Sequence, residues 1–312
     1  MVSEAWPRIA VVGAGAVGCY YGGMLARAGA PVTLIGRAQH VEAIVRDGLF
    51  LDGIRVQERI TVAASTSIAA VKGSQLVLVC VKTTDTEETA RQLVPLLQGA
   101  RVISLQNGVD NVERMRAAAG LDAFAAAVYV AAEMAEPGHV RHSSRGDLVI
   151  GSTLQGTAAA QAMDALTALA ALFNRADIPC KVTEDIRAAL WKKLVLNCTY
   201  NAISALTRAR YGRIVRDPEM RALLTRVVEE TVAVARAAGV QLDVAEQVAA
   251  GLKLGEVMPE ALSSTAQDIA RGKHTEIDSL NGYVVHLGEK LEVATPINYT
   301  LYKLVKLLEE AA

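Results

Sequence analysis

"RIAVVGAGAVGCYYGGMLARAG", residues 8–29, is the stretch on which the fold turns. A short apolar run at 8–12 meets a glycine-rich turn, and the turn opens into a segment whose apolar residues Val17, Met24 and Leu25 fall on one helical face. Gly13, Gly15 and Gly18 stand in GxGxxG register. Their physical roles differ, because the first permits a tight turn, the second lets backbone approach a pyrophosphate, and the third lets helix and strand pack closely. The helix start adds N–H groups directed at the anion. Because the glycines follow a strand and precede a helix, Gly13, Ala14, Gly15, Ala16, Val17 and Gly18 are read as the phosphate-binding turn of a dinucleotide site.

The rest of the first half repeats the strand-then-helix rhythm, with short β-rich runs at 32–36, 76–80 and 102–105. Alternation of that kind indicates βαβ units and a mostly parallel sheet. Between residues 49 and 64 two short strands surround a Gly turn, and "GHVRHSSRGDLVIG" at 138–151 reads as another hairpin. From about residue 186 the pattern changes to helical periodicity, over 186–209, 217–238, 256–271 and 276–291. Asp217 and Pro218 read as an N-cap and first helical residue, and Gly239 as a helix stop. The expected architecture is α/β: an N-terminal Rossmann-type doubly wound sheet over 1–182, and a C-terminal all-helical domain over 183–312, joined near "PCKVTED".

Bulk composition agrees with a two-domain globular chain. Its 312 residues exceed what one core usually serves, and 52% are hydrophobic. Lys+Arg number 32 against 33 Asp+Glu, a balance that gives no support to a nucleic-acid partner. Charge or glycine interrupts every apolar run before the ~18 residues a membrane span needs. The first residues lack the basic start and long apolar stretch of a signal peptide, so a cytoplasmic location is expected. Cys19, Cys80, Cys180 and Cys198 are scattered without metal-ligand spacing, which points to free thiols and metal-free chemistry. Amphipathic helices in the second half are compatible with a homodimer, and equally with packing inside one chain.

The end of the second strand bears on which dinucleotide is bound. An NAD site usually places a carboxylate about 20 residues beyond the turn, to accept from the ribose 2′-hydroxyl. In "LIGRAQH" Arg37 stands there instead, and a guanidinium matches a 2′-phosphate in charge and fork geometry. The cofactor expected is therefore NADP(H), the other reading of Arg37 being a surface arginine with no cofactor role. Ligands in open α/β sheets lie at the carboxyl ends of strands, which singles out Lys82 in "VLVCVKTTD" and Asn107 with Gly108 in "VISLQNGVD". Turn chemistry also accounts for an Asn-Gly pair.

In "WKKLVLNCTYN", residues 191–201, Lys193, Asn197 and Asn201 recur at four-residue steps in an otherwise apolar helix. Each step drifts only ~40° around the axis, so the three share one face. Either the lysine snorkels to water and the asparagines bond nearby backbone, or the stripe lines a cleft that takes a carbonyl compound. In the second case an ammonium can protonate an alkoxide as it forms, and the amides can orient polar groups. Ser264 and Asp268 share a face further on, and Glu276 falls early in the next helix, where a carboxylate is favourable in any case.

Taken together, "VVGAGAVG", "VKTTD", "SLQNGVD", "RAALWKKLVLNCTYNAISALT" and "SSTAQDIARGKHTEIDSLNGY" resemble ketopantoate reductase (2-dehydropantoate 2-reductase) over nearly the whole chain. The resemblance implies a Rossmann domain that binds NADPH, a helical domain that closes over it, and reduction of the 2-dehydropantoate ketone to (R)-pantoate. It implies Lys193 as proton donor; Asn197, Asn201 and Ser264 as substrate contacts; and Asn107 near both nicotinamide and substrate. It implies Glu276 as a carboxylate beside the nicotinamide and the substrate hydroxyl, Lys82 as a cofactor contact, and Ala132, expected in a loop, as a small residue packed near the cofactor. One departure is Tyr211, in "ARYGRI", where some relatives carry asparagine. Members of this fold also act on other 2-oxo acids, and a dinucleotide-binding sensor without turnover is the alternative from another class.

Overall fold

The structure, a computed structural model, describes residues 5–154 and 156–311. Two compact units meet in sequence at Ile186 and Arg187. In the first, the chain runs β1 (Ile9–Val12), α1 (Ala16–Arg27), β2 (Val32–Ile35), α2 (Ala38–Asp47), β3 (Leu49–Gly53), β4 (Gln57–Ile60), β5 (Ala63–Ser65) and β6 (Leu76–Val79). It continues through α3 (Thr86–Leu93), β7 (Arg101–Ser104), α4 (Asn111–Ala119), β8 (Phe124–Glu136), β9 (His139–Gly151), α5 (Thr157–Arg175) and β10 (Cys180–Val182). The sheet order is β4-β3-β9-β8-β7-β6-β1-β2-β5, with β10 paired to β9.

All four residues of β1 and of β6 are buried, as expected of strands covered on both faces. Alternate side chains serve two cores. Val11, Leu34, Leu78 and Ile103 pack with Tyr21 and Leu25 of α1 and Phe173 of α5, while Ala10, Val12, Val77 and Val79 pack with Leu93 of α3 and Met115 of α4. This is the doubly wound arrangement read from the sequence. The parallel block β5-β2-β1-β6-β7-β8 is extended by β9, which is antiparallel to β8, and by the β3–β4 hairpin.

The expected hairpin at 138–151 is instead one 13-residue strand, β9, whose partner is the equally long β8. Ala132 accordingly lies in a strand and pairs with His142, beside a register shift between Ala131 and Ala132. The alanine-rich β8 has little intrinsic strand preference; pairing on both sides supplies the stabilisation that composition does not. At the outer edges, β4 exposes Gln57, Glu58 and Arg59, while β5 and β10 are three residues each.

The second unit holds α6 (Ile186–Thr207), α7 (Tyr211–Arg216), α8 (Pro218–Ala237), α9 (Val244–Val257), α10 (Ser264–Ala270), α11 (Asn281–Lys290) and α12 (Pro296–Glu310). Asp217 caps α8 by accepting from the Glu219 and Met220 amides, with Pro218 at the first helical position, and Gly239 takes φ +82° just past its end. A continuous helix over 256–271 does not form. The chain leaves α9 at Met258, passes Pro259, and restarts at Ser263, whose hydroxyl accepts from the Ala266 amide. Proline disfavours the helical conformation of the residue before it, and Met258 accordingly leaves the helical region at φ −125°, ψ 55°. Likewise 276–291 is divided into a 3₁₀ turn, Ile277–Ser279, and α11. No helix among the described residues is long and apolar enough to cross a membrane.

Candidate functional site

In the first unit, the turn after β1 is built from hydrogen bonds to the neighbouring strand. The amides of Gly13 and Ala14 both donate to the Ile35 carbonyl, at 2.8 and 2.9 Å, and the Gly15 amide donates to Gly13 at 2.8 Å. Gly13 has φ +110°, and a Cβ there would lie 2.6 Å from the Cys80 and Val81 backbone at the end of β6. A Cβ on Gly18 would lie 2.1 Å from the Gly13 carbonyl oxygen. Around Gly15, by contrast, a Cβ would meet nothing within 4 Å. Two glycines are thus required by the fold itself, and the third leaves open space in front of a helix start.

That space has the chemistry of an anion site. Gly15 caps α1 without a side-chain hydrogen bond, and no acidic residue occupies the first turn. The first N–H groups of a helix have no intrahelical acceptor, and the helix dipole favours negative charge beside them. A dinucleotide pyrophosphate fits this cradle. Arg37, exposed at the end of β2, is the N-terminal flanking residue of α2, and the adjacent Gly36 amide donates to Ser65 of β5 at 3.1 Å.

Lys82 and Asn107 follow β6 and β7, so parallel pairing brings them to the same end of the sheet as the turn. Both are half-buried. A polar chain that sequence reading missed fastens these strand ends together. Gln106 accepts from Ser104 at 2.9 Å and donates to the Val81 carbonyl at 3.2 Å and to Thr86 at 2.8 Å. Thr86 donates to Asn111 at 3.0 Å, whose amide in turn donates to the Asn107 carbonyl. Arg114 adds a two-pronged bond to Glu87, at 2.7 and 2.8 Å, and reaches the Thr83 carbonyl; its guanidinium holds the Glu87 carboxyl below the ordinary carboxylate range. Polar residues flanking "QNG" were the available signal, but their partners are 20 to 25 residues distant. Ala132 is carried beyond the short β7–β8 pairing, seven residues past Ala125.

In the second unit, α6 is buried over most of its circumference, including Trp191, Leu194, Val195, Cys198 and Tyr200. Lys193 and Asn197 are half-buried, and Asn201 is 4% exposed. Lys192 turns to the surface and pairs with Glu246 at 3.0 Å. The Ser263 hydroxyl, 1% exposed, donates to the Asn201 carbonyl at 3.1 Å and so docks the start of α10 on α6. Ser264 is the first residue of that helix and is exposed. Tyr211 is buried and stacks on Tyr200 at 4.3 Å, so its ring serves the core.

Glu276 is half-buried and flanks the 3₁₀ turn rather than lying inside a long helix. Its segment is held by α12. Glu309 accepts from the Thr275 amide at 2.6 Å and pairs with Lys306 at 2.9 Å, while Asp278 accepts from Tyr302 at 2.6 Å. Asn281, 0% exposed, donates to Asn298 at 2.9 Å and to the Cys198 carbonyl of α6 at 3.4 Å. One end of the carboxylate-bearing segment is therefore tied to the helix that carries the polar stripe.

Comparison with known proteins matches both units. Residues 9–155 fit the family model described as ketopantoate reductase PanE/ApbA, and residues 185–309 fit its C-terminal counterpart. The 2-dehydropantoate 2-reductase of Pyrococcus horikoshii is 32% identical over 302 residues, covering 97% of each chain. A crystal structure of a PanE/ApbA family ketopantoate reductase from Ralstonia eutropha is 49% identical, with a TM-score of 0.87 over 97% of this chain and 99% of that one. A ternary structure of D-mandelate dehydrogenase with NADH and anilino(oxo)acetate shares the fold, with a TM-score of 0.89 at 24% identity over 97% and 98% of the two chains. In both halves, by sequence and by fold, the chain belongs to the ketopantoate reductase family of oxidoreductases.

Proposed function

We propose that the protein reduces 2-dehydropantoate to (R)-pantoate with NADPH, a cytoplasmic step on the route to pantothenate and coenzyme A. The observation that carries this reading is the α6 stripe, an ammonium and two amides on one face of a helix buried nearly all round, in a chain whose family acts on a 2-oxo acid. NADPH preference is supported by the exposed Arg37 guanidinium where an NAD site would carry a carboxylate.

When bound, the reduced nicotinamide supplies the hydride for C2. The turn from Gly13 to Gly18 presents backbone N–H groups to the pyrophosphate, with Lys82 as a further cofactor contact. Asn107 and Ala132 line the nicotinamide's place. Asn197, Asn201 and Ser264 orient the substrate's polar groups, and Glu276 accepts from its hydroxyl. Lys193 donates a hydrogen bond to the ketone oxygen and then transfers a proton to it, so that negative charge is stabilised as it develops. The lysine recovers its proton from water.

The test is loss of reduced-nicotinamide absorbance when 2-dehydropantoate is added to purified protein and NADPH. Turnover with a rate above that for other 2-oxo acids is expected. No consumption with any 2-oxo acid would overturn the reading in favour of a non-catalytic dinucleotide sensor. The fold shared with D-mandelate dehydrogenase supports a second reading, a reductase for a different 2-oxo acid, and faster turnover of such a substrate would establish it.

A further inference from the structure

Between α1, the β3–β4 hairpin, β9 and the α5–β10 connection lies a cavity of about 710 Å³. This volume is typical of small-molecule sites. The cavity is lined entirely by the first unit and shares no residue with the phosphate turn or the α6 stripe.

Most of its polar lining is already satisfied. Arg27 pairs with Glu58 at 3.0 Å and with Asp177 at 3.5 Å, and Arg145 holds Asp147 through two bonds at 2.9 and 2.7 Å. Asp52 accepts from His139 and Arg141, and the Asn174 side chain bonds the Cys180 backbone. Three groups remain. Tyr20 is only 6% exposed as a residue, and its hydroxyl, which makes no hydrogen bond among the described residues, keeps access to the cavity. Gly146, at φ +126°, makes room for that hydroxyl, since a Cβ there would lie 2.2 Å from its oxygen. Arg55, on the hairpin tip, makes no hydrogen bond or ion pair among the described residues, and its charge is felt by both Tyr20 and His142. The His142 ring packs on Tyr20 at 4.4 Å and directs Nε2 at the Ser144 and Arg145 carbonyls, which fixes the proton there and leaves Nδ1 without a protein partner.

The Tyr20 hydroxyl opens onto the cavity, so a charged acceptor there exchanges a water contact for a hydrogen bond worth about 1.5–3 kcal/mol. The uncommitted cation calls for an anion. Of the three lining arginines, Arg27 and Arg145 are paired to carboxylates and only Arg55 is left for a ligand, which favours one negative charge over two. Met24, Leu51, Ile54, Val140 and Pro179 offer the rest of the ligand an apolar wall. We propose that this cavity binds a small organic monocarboxylate with a branched aliphatic body, its carboxylate held by Arg55 and the Tyr20 hydroxyl.

The test uses the full chain labelled with ¹³C in its histidine rings and follows the His142 signal, assigned by substitution, at fixed pH during titration with isovalerate. A saturable shift is expected in the wild type and equally in Lys193→Ala, which separates this cavity from the proposed reaction. Arg55→Ala, at an exposed position, is expected to weaken the titration at least ~10-fold and Tyr20→Phe several-fold. Neutral isovaleramide should leave the signal in place. An unmoved His142 signal, an unaltered titration in Arg55→Ala, or equal response to isovaleramide would each overturn the proposal. Inorganic phosphate binding as tightly as isovalerate would overturn the monocarboxylate assignment.

Discussion

Gly15 and Gly18 stand three residues apart in one motif, and the structure assigns their substitutions opposite consequences. In Gly15→Ala the new methyl meets nothing within 4 Å, and the backbone, at φ −89°, is open to any residue. Reduced freedom of the unfolded chain favours alanine by about 0.4–1 kcal/mol, and the poorer helix cap opposes it by a similar amount. Stability should therefore stay within ~1 kcal/mol of the parent. The methyl, however, fills the space a pyrophosphate oxygen would enter. Loss of one hydrogen bond to a charged group, about 1.5–3 kcal/mol, weakens NADPH binding about 10- to 150-fold. In Gly18→Ala the methyl would sit 2.1 Å from the Gly13 carbonyl oxygen and 3.1 Å from Val11. Strain of about 1–3 kcal/mol must then be absorbed by moving α1, lowering Tm by about 2–4 °C per kcal/mol. Fluorescence titration with NADPH and calorimetric melting of both variants are the assays. Near-native NADPH affinity in Gly15→Ala would show that the space before α1 does not receive the pyrophosphate, and a Gly18→Ala protein that melts with the parent would show that the contact with Gly13 yields at no cost.

Lys193→Ala should lower turnover by roughly 10²–10⁴ while leaving the NADPH Kd within about threefold, measured by steady-state rates beside a binding titration. Arg37→Ala should reduce the preference for NADPH over NADH about 10-fold or more, read from kcat/KM with each cofactor. Tyr21 is fully buried and its hydroxyl has no partner among the described residues; Tyr21→Phe should therefore raise stability by about 1–3 kcal/mol, and a lower urea midpoint would contradict the assignment. Arg114 depresses the Glu87 carboxyl below its ordinary 4.5, so this pair's stabilisation is present above about that pH and lost as the pH falls through the lower folded value. Urea midpoints between roughly pH 3 and 6 should fall less steeply with acid in Glu87→Gln than in the parent.

The parallel strands and the glycine turn were legible because each is set by local pattern: short buried runs, glycines at fixed offsets, a helix start directly after. The same holds for the Asp217 cap, whose acceptor lies two and three residues from its donors. What the pattern hid depends on partners distant in the chain. β8 reads as an alanine-rich segment and becomes a strand because β7 and β9 pair with it. The Gln106–Thr86–Asn111 chain exists only once β6 and β7 lie side by side. Ser263 could not be told from Ser264 by sequence, since only the break after α9 decides which one caps α10 and bonds Asn201. Pro259 was the readable sign of that break, and helical periodicity on either side obscured it.

The outermost strands of the sheet bear on how copies of this chain can meet. β4 presents Gln57, Glu58 and Arg59 to solvent, and β5 and β10 offer only three residues of backbone apiece. A charged or very short border is a poor template for an incoming strand. Growth of one continuous ribbon through several molecules, edge strand to edge strand, is thereby discouraged.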